Sequence, residues 1–415
     1  MAETFESARA LILEKITALP AEQVPLLEAA GRVLATEVTA PWDLPRWDNS
    51  AMDGFAVRTE DCQSSQPLLI DGCLPAGCSA VGISVSPGSA VRIMTGAPVP
   101  AGCDAIVPFE ETEETDLHVL IKGQVRVGDH IRFRGEDVQQ HQVVIAAGNV
   151  LRPAGINMLA SFGMDTVSVF GRPMVAILST GDELVELGEP VGPGQIINSN
   201  AYSLAAAVLE AGGEPVLLGI ARDNRESLIE KLTEGLQADV LITSAGVSMG
   251  DLDLVREAME AVGVERLFWK VDIKPGRPTA FGIKDDKPVF SLPGNPVSTM
   301  ITFEEFVRPA LLKMMGHSRV IKPFVKANLQ ETIIKKAGRL QFLRVTVVNK
   351  GGHLLASSSG DQNTGILSTM LRANGIAVLP ASRERIKAGE EVQIHMIDAV
   401  ADLSLIHISE PTRPY

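Results

Sequence analysis

The chain has 415 residues, a formal net charge of −14 and 45% hydrophobic residues. That length predicts two to four domains with real hydrophobic cores. The acidic balance repels nucleic acid and anionic membranes, so we expect neither as a partner and favour a cytoplasmic metabolic enzyme. The four cysteines lack paired C-x-x-C spacing, which favours reduced thiols over a zinc site.

The N-terminal part of the chain predicts a helical region interrupted by a β domain. From residue 38 to about residue 137, short apolar runs are broken by Gly and Pro, as is typical of short strands. We therefore predict a split helical region over 1–40 and 140–170, with a β insertion domain at 41–139. Helical spacing of apolar residues predicts its helices at 8–19, 25–35 and 150–162.

The second half of the chain alternates apolar strands with helices. Continuous apolar strands separated by helices are typical of a parallel sheet covered on both faces, and we predict a doubly wound, mostly parallel α/β domain over 171–318. A β-rich block follows at 319–398. Residues 402–415 continue no earlier pattern and are interpreted as a non-native tail. The helices of the α/β domain are predicted at 201–211, 226–236, 254–261 and 297–315.

Candidate site residues recur where the predicted strands end. In an open parallel sheet, ligands bind outside the carboxyl ends of the strands, because loops and helix N-termini converge there. Acids, glycines and hydroxyls follow successive strands of this chain, and we expect them to share one edge of the sheet. They are Ser179, Thr180, Gly181, Asp182 and Glu183, then Asp223, then Asp253.

Two turns of small residues, "SAGVSMG" at 244–250 and "PGNPVS" at 293–298, lead into predicted helices. Their backbone N–H groups can approach a phosphate, and a helix dipole favours negative charge. Neither matches the Walker or the G-x-G-x-x-G pattern, and either alone is as simply explained as a tight turn. Two such turns beside acids favour a ligand, with the predicted substrate-binding residues Gly246, Ser248, Gly250, Pro293, Gly294, Asn295, Pro296 and Ser298.

The acids predict a metal ion. Crowded carboxylates are costly unless a cation or a donor accompanies them, and Mg²⁺ takes a few carboxylates together with phosphate oxygens and water. The alternative for Asp182 and Asp223 is helix N-capping, which for Asp223 is as well supported as metal binding. The predicted metal ligands are Asp182, Glu183, Asp223 and Asp253.

Basic residues are concentrated in "WKVDIKPGRP", which supplies Lys270, Lys274 and Arg277. On an acidic protein these three cations predict an anion clamp, although solvated side chains on an exposed strand would give the same pattern. The segment "RFRGED" also alternates basic residues, at Arg132 and Arg134, beside acids. A surface ion-pair network is the simpler interpretation of that segment taken alone.

Seven segments together closely resemble the MoeA family of molybdopterin molybdenumtransferases, whose members include the E domain of gephyrin. They are long, they stand in the order of the family, and they extend from the first helix to about residue 398. The segments are "DNSAMDGFAVR", "VRIMTGAPVP", "IRFRGED", "VAILSTGDEL", "SAGVSMGDLD", "FWKVDIKPGRP" and "LPGNPVS".

The resemblance implies a split N-terminal region, a β insertion, a molybdopterin-binding α/β domain and a C-terminal β-barrel at 319–398. It implies a homodimer whose active site lies between subunits, with adenylylated molybdopterin and molybdate as substrates and Mg²⁺ as the promoting ion. AMP leaves as molybdenum is bound by the dithiolene. Contacts with the preceding adenylyltransferase and with recipient molybdoenzymes are further candidates.

The family motifs also imply roles for residues of this chain. They place catalytic residues at Asp53, Thr95, Glu183, Asp223 and Asp253. They place substrate contacts at Arg132, Asp137, Lys270, Lys274, Pro293 and Pro296.

Two segments depart from the family pattern. Ala245 stands where the family commonly has the second glycine of "SGGVS". The stretch "DQNTG" replaces a "QGS" type, so that Thr364 is the counterpart of a serine. Two other functions remain open: the preceding adenylylation of molybdopterin, which needs neither the insertion nor the barrel, and a scaffold without catalysis.

Overall fold

The structure is a computed structural model that describes residues 2–64, 66–245, 252–398 and 401–402, with only the backbone for 252–253 and 401–402. The chain divides into two compact units. One is Val24–Val167, and the other combines Met1–Gln23 with Ser168–Tyr415. None of the described helices is both long and apolar enough to span a bilayer.

The unit Val24–Val167 is built on a six-stranded sheet. Its strand Gly54–Val57 is buried throughout and alternates between two hydrophobic clusters, with Phe55 and Val57 in one and Ala56 in the other. Such alternation is the two-residue period of a strand that is covered on both faces. In spatial order the strands are Ala105–Pro108, Gly54–Val57, Ser89–Ile93, Leu68–Leu74, His118–Ile121 and Thr112–Glu114.

Smaller elements complete this unit. The helix Pro153–Ser161 agrees with the prediction at 150–162. The helix predicted at 25–35 was wrong, because only Leu26–Ala29 forms a helical turn there. Gly31 has φ +78°, which ends helical geometry, and the next residues pair with 149–151. The remaining elements are Val38–Thr39 paired with Val143–Ile145, Asn49–Ser50 paired with Ile131–Arg132, Asp61–Gln63 and Phe109–Glu111. The strands Ala21–Pro25 and Thr166–Phe170 each extend across a limit of this unit in the chain.

The second unit contains the predicted α/β domain. Its six-stranded sheet buries Val175 and Ile177 on one face and Ala176 and Leu178 on the other. Helices therefore cover both faces, as the continuous apolar strands predicted. In spatial order the strands are Glu214–Ala221, Met174–Thr180, Val240–Ser244, Lys287–Leu292, Ala280–Lys284 and Glu265–Phe268, the first four mutually parallel and the last two antiparallel to their neighbours.

Capping residues and prolines determine where the helices of this unit begin and where they are interrupted. The helix predicted at 8–19 is Phe5–Lys15, because the Thr4 side chain accepts a hydrogen bond from the Ser7 N–H. The helix predicted at 297–315 is interrupted by a π-helical turn at Phe303–Val307, just before Pro309, which cannot donate a backbone hydrogen bond. The others are Ser199–Ala211, Arg225–Gly235, Leu252–Ala261, Pro296–Thr302 and Arg308–Met314.

The C-terminal region forms the barrel that the resemblance implied. Each strand of the set pairs with the next, and the last pairs with the first, so the sheet closes on itself. Ala327, Val345, Ala377 and Ile394 fill the interior. In cyclic order the barrel strands are Leu340–Lys350, His353–Ser358, Phe324–Leu329, Glu391–Met396 and Gly375–Leu379. Shorter elements are Leu184–Val185, Ile196–Ile197, Ile273–Lys274, Ile333–Ile334, Ser368–Arg372, Arg385–Ile386 and Ala401–Asp402.

Candidate active site

A cavity of about 450 Å³ lies at the carboxyl edge of the parallel sheet. Within this sheet, Met174–Thr180 is the first strand in chain order. It lies between the second strand, Glu214–Ala221, and the third, Val240–Ser244. The strand order reverses at this position, which is where open α/β sheets bind ligands. The cavity is lined by residues of five chain segments, among them Ser179, Glu183, Asn198, Ser199, Asn200, Ser244, Ala245, Pro278, Pro293, Gly294, Asn295 and Pro296.

The loop after the first strand brings Glu183 to the cavity. Gly181 has φ +141°, and a Cβ added there would lie 2.4 Å from Glu183 Oε2. Glycine is therefore required if the carboxylate is to stay in this place. Ser179 also lines the cavity, whereas the next residue, Thr180, is 1% exposed and lies on the other face of the strand, outside the cavity lining.

Asp182 and Asp223 lie side by side at the same edge. The Asp223 carboxylate accepts a hydrogen bond from the Asp182 N–H at 3.2 Å, and the Asp182 carboxylate accepts one from the Asp223 N–H at 3.3 Å. N-capping does not explain either acid, because the strand Leu184–Val185 follows Asp182 and Asn224 is the residue that caps the helix Arg225–Gly235. The prediction that strand ends bring these acids together is confirmed.

The sequence reasoning missed the asparagines of "INSN". Asn198 accepts a hydrogen bond from Ser179 Oγ at 2.7 Å. Asn200 Nδ2 donates to Ser244 Oγ at 3.0 Å and to the Gly294 carbonyl at 2.7 Å, which joins three segments of the cavity wall. The available signal was a pair of amides between a Pro-Gly turn and an apolar helix, which is as typical of capping as of ligand binding.

The turn "PGNPVS" forms another wall. Thr299 Oγ1 donates to the Pro293 carbonyl at 2.5 Å, and the helix that follows begins at Pro296. Gly294 lies against Ala245, because a Cβ added to it would be 3.0 Å from the Ala245 Cβ. Ser298, by contrast, is 4% exposed and lies within the helix outside the cavity lining.

Ala245 adopts φ +76°, in the left-handed region that favours glycine. This is the position where the family pattern has glycine, so the chain keeps the conformation with a residue less suited to it. Gly246, Ser248 and Gly250, predicted to bind phosphate, lie outside the described residues, and so does the side chain of Asp253.

The predicted basic clamp is not part of the cavity wall. Lys270 and Lys274 are exposed, and Arg277 pairs with Asp272 at 3.8 Å. Lys274 lies in a short strand that pairs with the barrel strand Leu340–Lys350. The nearby Pro278 does line the cavity. The sequence predicted three cations at one anion site, and the structure brings their segment, rather than their side chains, to the wall.

Thr364 lies in a barrel loop that is organised around a buried arginine. Arg344 is 0% exposed, and its Nη2 donates to the Asp361 carbonyl at 2.9 Å and to the Asn363 carbonyl at 3.3 Å. Burial lowers the pKa of Arg344. Thr364 is not among the cavity residues.

Within the described residues, no group of three or more His, Cys, Asp or Glu side chains is arranged to hold a metal ion. The predicted set includes Asp253, whose side chain is not described. Glu183 in the cavity wall, with Asp182 and Asp223 beside each other at the same edge, nevertheless provides carboxylate oxygens of the kind that Mg²⁺ prefers.

The β insertion brings a second set of predicted residues together. Asp53 Oδ1 accepts hydrogen bonds from the backbone N–H and from the hydroxyl of Thr95, both at 2.7 Å. These two bonds lower the pKa of Asp53, the backbone bond having the larger effect. The resemblance implied a catalytic role for each residue separately, and the structure brings the two into direct contact although they lie 42 positions apart.

Backbone hydrogen bonds join the three motif segments of this unit. Ser50 N–H donates to the Ala97 carbonyl at 2.9 Å, and Ala51 N–H donates to the His130 carbonyl at 2.9 Å. Arg132 lies opposite Asn49 in a short antiparallel pair. The segments "DNSAMDG", "MTGAP" and "IRFRGED" are thus neighbours within the unit.

Arg134 and Glu136, both in "RFRGED", have separate partners. Arg134 pairs with Asp43, at 2.5 Å, while Glu136 accepts from the Phe133 N–H at 2.8 Å. The simple ion-pair interpretation therefore holds for Arg134, although its partner lies outside the segment. Arg132 and Asp137 are exposed.

The described fold is that of a multidomain α/β protein with a cavity at the switch point of its parallel sheet. Three family descriptions match the chain in order: "MoeA N-terminal region (domain I and II)" over residues 3–163, "Probable molybdopterin binding domain" over 176–313 and "MoeA C-terminal region (domain IV)" over 326–397. The chain belongs to the MoeA family, as the motifs predicted.

Relatives match over nearly the whole chain. The molybdopterin molybdenumtransferase of Haemophilus influenzae is 38% identical over 397 residues, covering 94% of this chain and 98% of that protein. Molybdopterin molybdenumtransferase 2 of Mycobacterium tuberculosis is 37% identical, covering 92% and 97%. A crystal structure of the molybdopterin biosynthesis MoeA protein from Pyrococcus horikoshii has a TM-score of 0.80 at 32% identity and covers 95% of this chain and 100% of that one.

Proposed function

We propose that this protein is a molybdopterin molybdenumtransferase, which inserts molybdenum into adenylylated molybdopterin and releases AMP. The observation that carries the proposal is the cavity at the switch point, lined by Glu183 and by the turn Pro293–Pro296, in a chain whose full-length relatives bear that name. The volume of about 450 Å³ suits a ligand of intermediate size.

The cavity wall is suited to an anionic substrate. The helix that begins at Ser199 starts at this wall, and its first N–H groups and its dipole favour a phosphate group. The proposed role of these groups is to bind and orient the substrate rather than to form a covalent intermediate. Gly246, Ser248 and Gly250 remain predicted phosphate contacts from the adjoining loop.

Mg²⁺ fits the donor set at this edge. Glu183, Asp182 and Asp223, with Asp253 as the remaining predicted ligand, would hold it through carboxylate oxygens, and a bound Mg²⁺ would neutralise charge on the phosphoanhydride. The paired hydrogen bonds between Asp182 and Asp223 fix both carboxylates before any ion binds.

Molybdate is an oxyanion and needs cationic or hydrogen-bonding partners of its own. Arg132 and Arg277 are the proposed candidates, and Lys270 and Lys274 are proposed to hold substrate phosphate. All four carry exposed side chains, which makes them available to a ligand that enters from solution. Thr364 remains a proposed contact in the barrel region.

We also propose that the protein is a cytoplasmic homodimer whose active site lies between subunits. Asp53 and Thr95 support this proposal, because their hydrogen-bonded pair is exposed on its own unit. Such a pair would complete the site if it faced the cavity of a second copy. The domain limits predicted from the sequence, and contacts with the adenylyltransferase or with recipient molybdoenzymes, stand as proposals as well.

The test is an assay of AMP release. Purified protein is given adenylylated molybdopterin, molybdate and Mg²⁺, and both AMP and active cofactor are measured. We expect AMP only when molybdate is present; no release under these conditions would remove the proposed function. A parallel reaction with ATP and molybdopterin tests the alternative adenylyltransferase activity, which the matched insertion and barrel regions do not require. Inactivity in both reactions would instead favour a scaffold.

A further inference from the structure

Asn198 occupies a capping position without capping. It is the N-cap residue of the helix Ser199–Ala211, yet its side chain makes no capping hydrogen bond. Asparagine is favoured at this position because its side-chain oxygen accepts from an N–H of the first turn. Here Oδ1 accepts from Ser179 Oγ instead, and the residue is only 2% exposed. The hydrogen bond with Ser179 therefore fixes the orientation of this amide, and capping does not.

The amide of Asn200 is also fixed, but through its nitrogen rather than its oxygen. Its Nδ2 donates to the carbonyl of Gly294, which can only accept, and to Ser244 Oγ. That arrangement leaves Oδ1 as the end without a bond. The two asparagines, on either side of Ser199, are thus oriented by different segments of the wall.

One donor and one acceptor remain unused at this wall. Asn198 Nδ2 and Asn200 Oδ1 are buried and have no hydrogen-bond partner among residues 2–64, 66–245 and 252–398. Both residues line the cavity. A buried polar atom without a partner destabilises the fold, and such atoms in native proteins require an explanation. A ligand with a complementary acceptor and donor would supply it.

We propose that Asn198 and Asn200 recognise the edge of a nitrogen heterocycle, with Asn198 Nδ2 donating to a ring acceptor and Asn200 Oδ1 accepting from an adjacent donor. The proposal rests on the proposed function and names the residues that read the substrate ring. A pterin presents its ring carbonyl beside a ring N–H, and adenine presents a ring nitrogen beside its amino group. Both rings have the required chemistry, and adenylylated molybdopterin contains both.

Direct binding measurements test the proposal with the full chain. Calorimetric titrations with 6-hydroxymethylpterin, AMP and inorganic pyrophosphate are compared between wild type, Asn198→Leu and Asn198→Asp. Leucine matches asparagine in shape and buries no charge, whereas aspartate keeps the acceptor for Ser179 and turns the free donor into an acceptor. We expect binding of at least one ring to weaken by about tenfold or more, with the pyrophosphate affinity within about twofold of wild type.

A matched control shows whether the change itself matters. Asn349 is exposed and accepts from the Gly352 N–H at 3.1 Å in a barrel hairpin, so Asn349→Asp is expected to leave all three affinities unchanged. Thermal melting of each variant checks the fold, and Asn198→Leu carries the test if the buried aspartate prevents folding.

Each outcome decides the proposal. Selective loss of the pterin assigns the site to the pterin, selective loss of AMP assigns it to adenine, and loss of both rings with pyrophosphate retained also supports ring recognition. Unchanged ring binding, equal loss of pyrophosphate, or a wild type that binds neither ring would overturn it. Since no molybdate or turnover is involved, failure of the AMP-release assay would be a separate result.

Discussion

Thr95 holds one carboxylate oxygen of Asp53 with two hydrogen bonds, from its backbone N–H and its hydroxyl, each 2.7 Å long. The two residues lie in different motifs, and both are exposed. An exposed carboxylate that is fixed in this way is oriented without being buried. The arrangement suits a side chain that must meet a ligand or another subunit in a defined position.

Replacing the Thr95 hydroxyl should change the titration of Asp53. Both bonds stabilise the carboxylate and lower its pKa, so Thr95→Val should raise the pKa of Asp53 while leaving it below the usual value, because the backbone N–H remains. The stabilisation is present above the unfolded pKa of about 3.9 and is lost as pH falls through the lowered folded pKa. Carboxyl carbon NMR titrations of both proteins measure this; an unchanged Asp53 pKa would contradict it.

The same pair gives a prediction for activity. Asp53→Ala should fold as wild type does and keep the proposed dimer, because the side chain is exposed and its hydrogen bonds within the described residues are made with Thr95. It should nevertheless lose molybdate-dependent AMP release. Size-exclusion chromatography and thermal melting accompany the assay. A variant that melts far below wild type would make Asp53 a structural residue.

Gly54 has a packing role that a methyl group would destroy. A Cβ at Gly54 would lie 2.0 Å from the Val107 carbonyl oxygen, where the buried strand Gly54–Val57 pairs with Ala105–Pro108. Gly54→Ala should destabilise the protein by about 1–3 kcal/mol or more through overpacking. Gly155→Ala is the matched control, because its nearest neighbours are at 3.5 Å and it lies in the helix Pro153–Ser161, where alanine is favoured by about 1 kcal/mol.

Urea denaturation of the two variants distinguishes the effect of the close contact at Gly54 from the general effect of replacing glycine by alanine. We expect the midpoint to fall for Gly54→Ala and to stay or rise for Gly155→Ala. Equal midpoints for the two would show that the close approach of strand Gly54–Val57 to its neighbour has no energetic consequence.

The sequence predicted correctly those features of the fold that depend on the local pattern of apolar and polar residues. Continuous apolar strands gave the parallel sheet, and the end of each strand placed Glu183 and Asp223 at one edge. The helix at 25–35 failed, because the left-handed Gly31 and pairing with a distant segment overrode apolar spacing. Asn198 could not be identified from the sequence, since its hydrogen bond with Ser179 joins two segments of the fold and local pattern does not encode such a contact.

The protein should be less stable with alanine at position 245 than with glycine. Its φ of +76° places the Cβ too close to the following carbonyl, which costs roughly 1–2 kcal/mol for an L-residue. Ala245→Gly should therefore stabilise the protein by about 1 kcal/mol, less the greater freedom of glycine in the unfolded chain. Chemical denaturation measures the difference, with Ala388→Gly in an exposed barrel turn as the control; a destabilised Ala245→Gly variant would contradict the strain.

Substitutions of Asp223 can distinguish the effect of its negative charge from the effect of its hydrogen bond. Its carboxylate accepts from the Asp182 N–H at 3.2 Å, and asparagine can keep that acceptor while it removes the negative charge. If Asp223 holds Mg²⁺, Asp223→Asn should melt close to wild type yet need about tenfold or more Mg²⁺ for half-maximal AMP release. Asp223→Ala, which also loses the acceptor, should melt lower by an amount equivalent to about 1 kcal/mol. An Asn variant with the wild-type Mg²⁺ requirement would exclude Asp223 as a ligand and leave its hydrogen bond to Asp182 as its role.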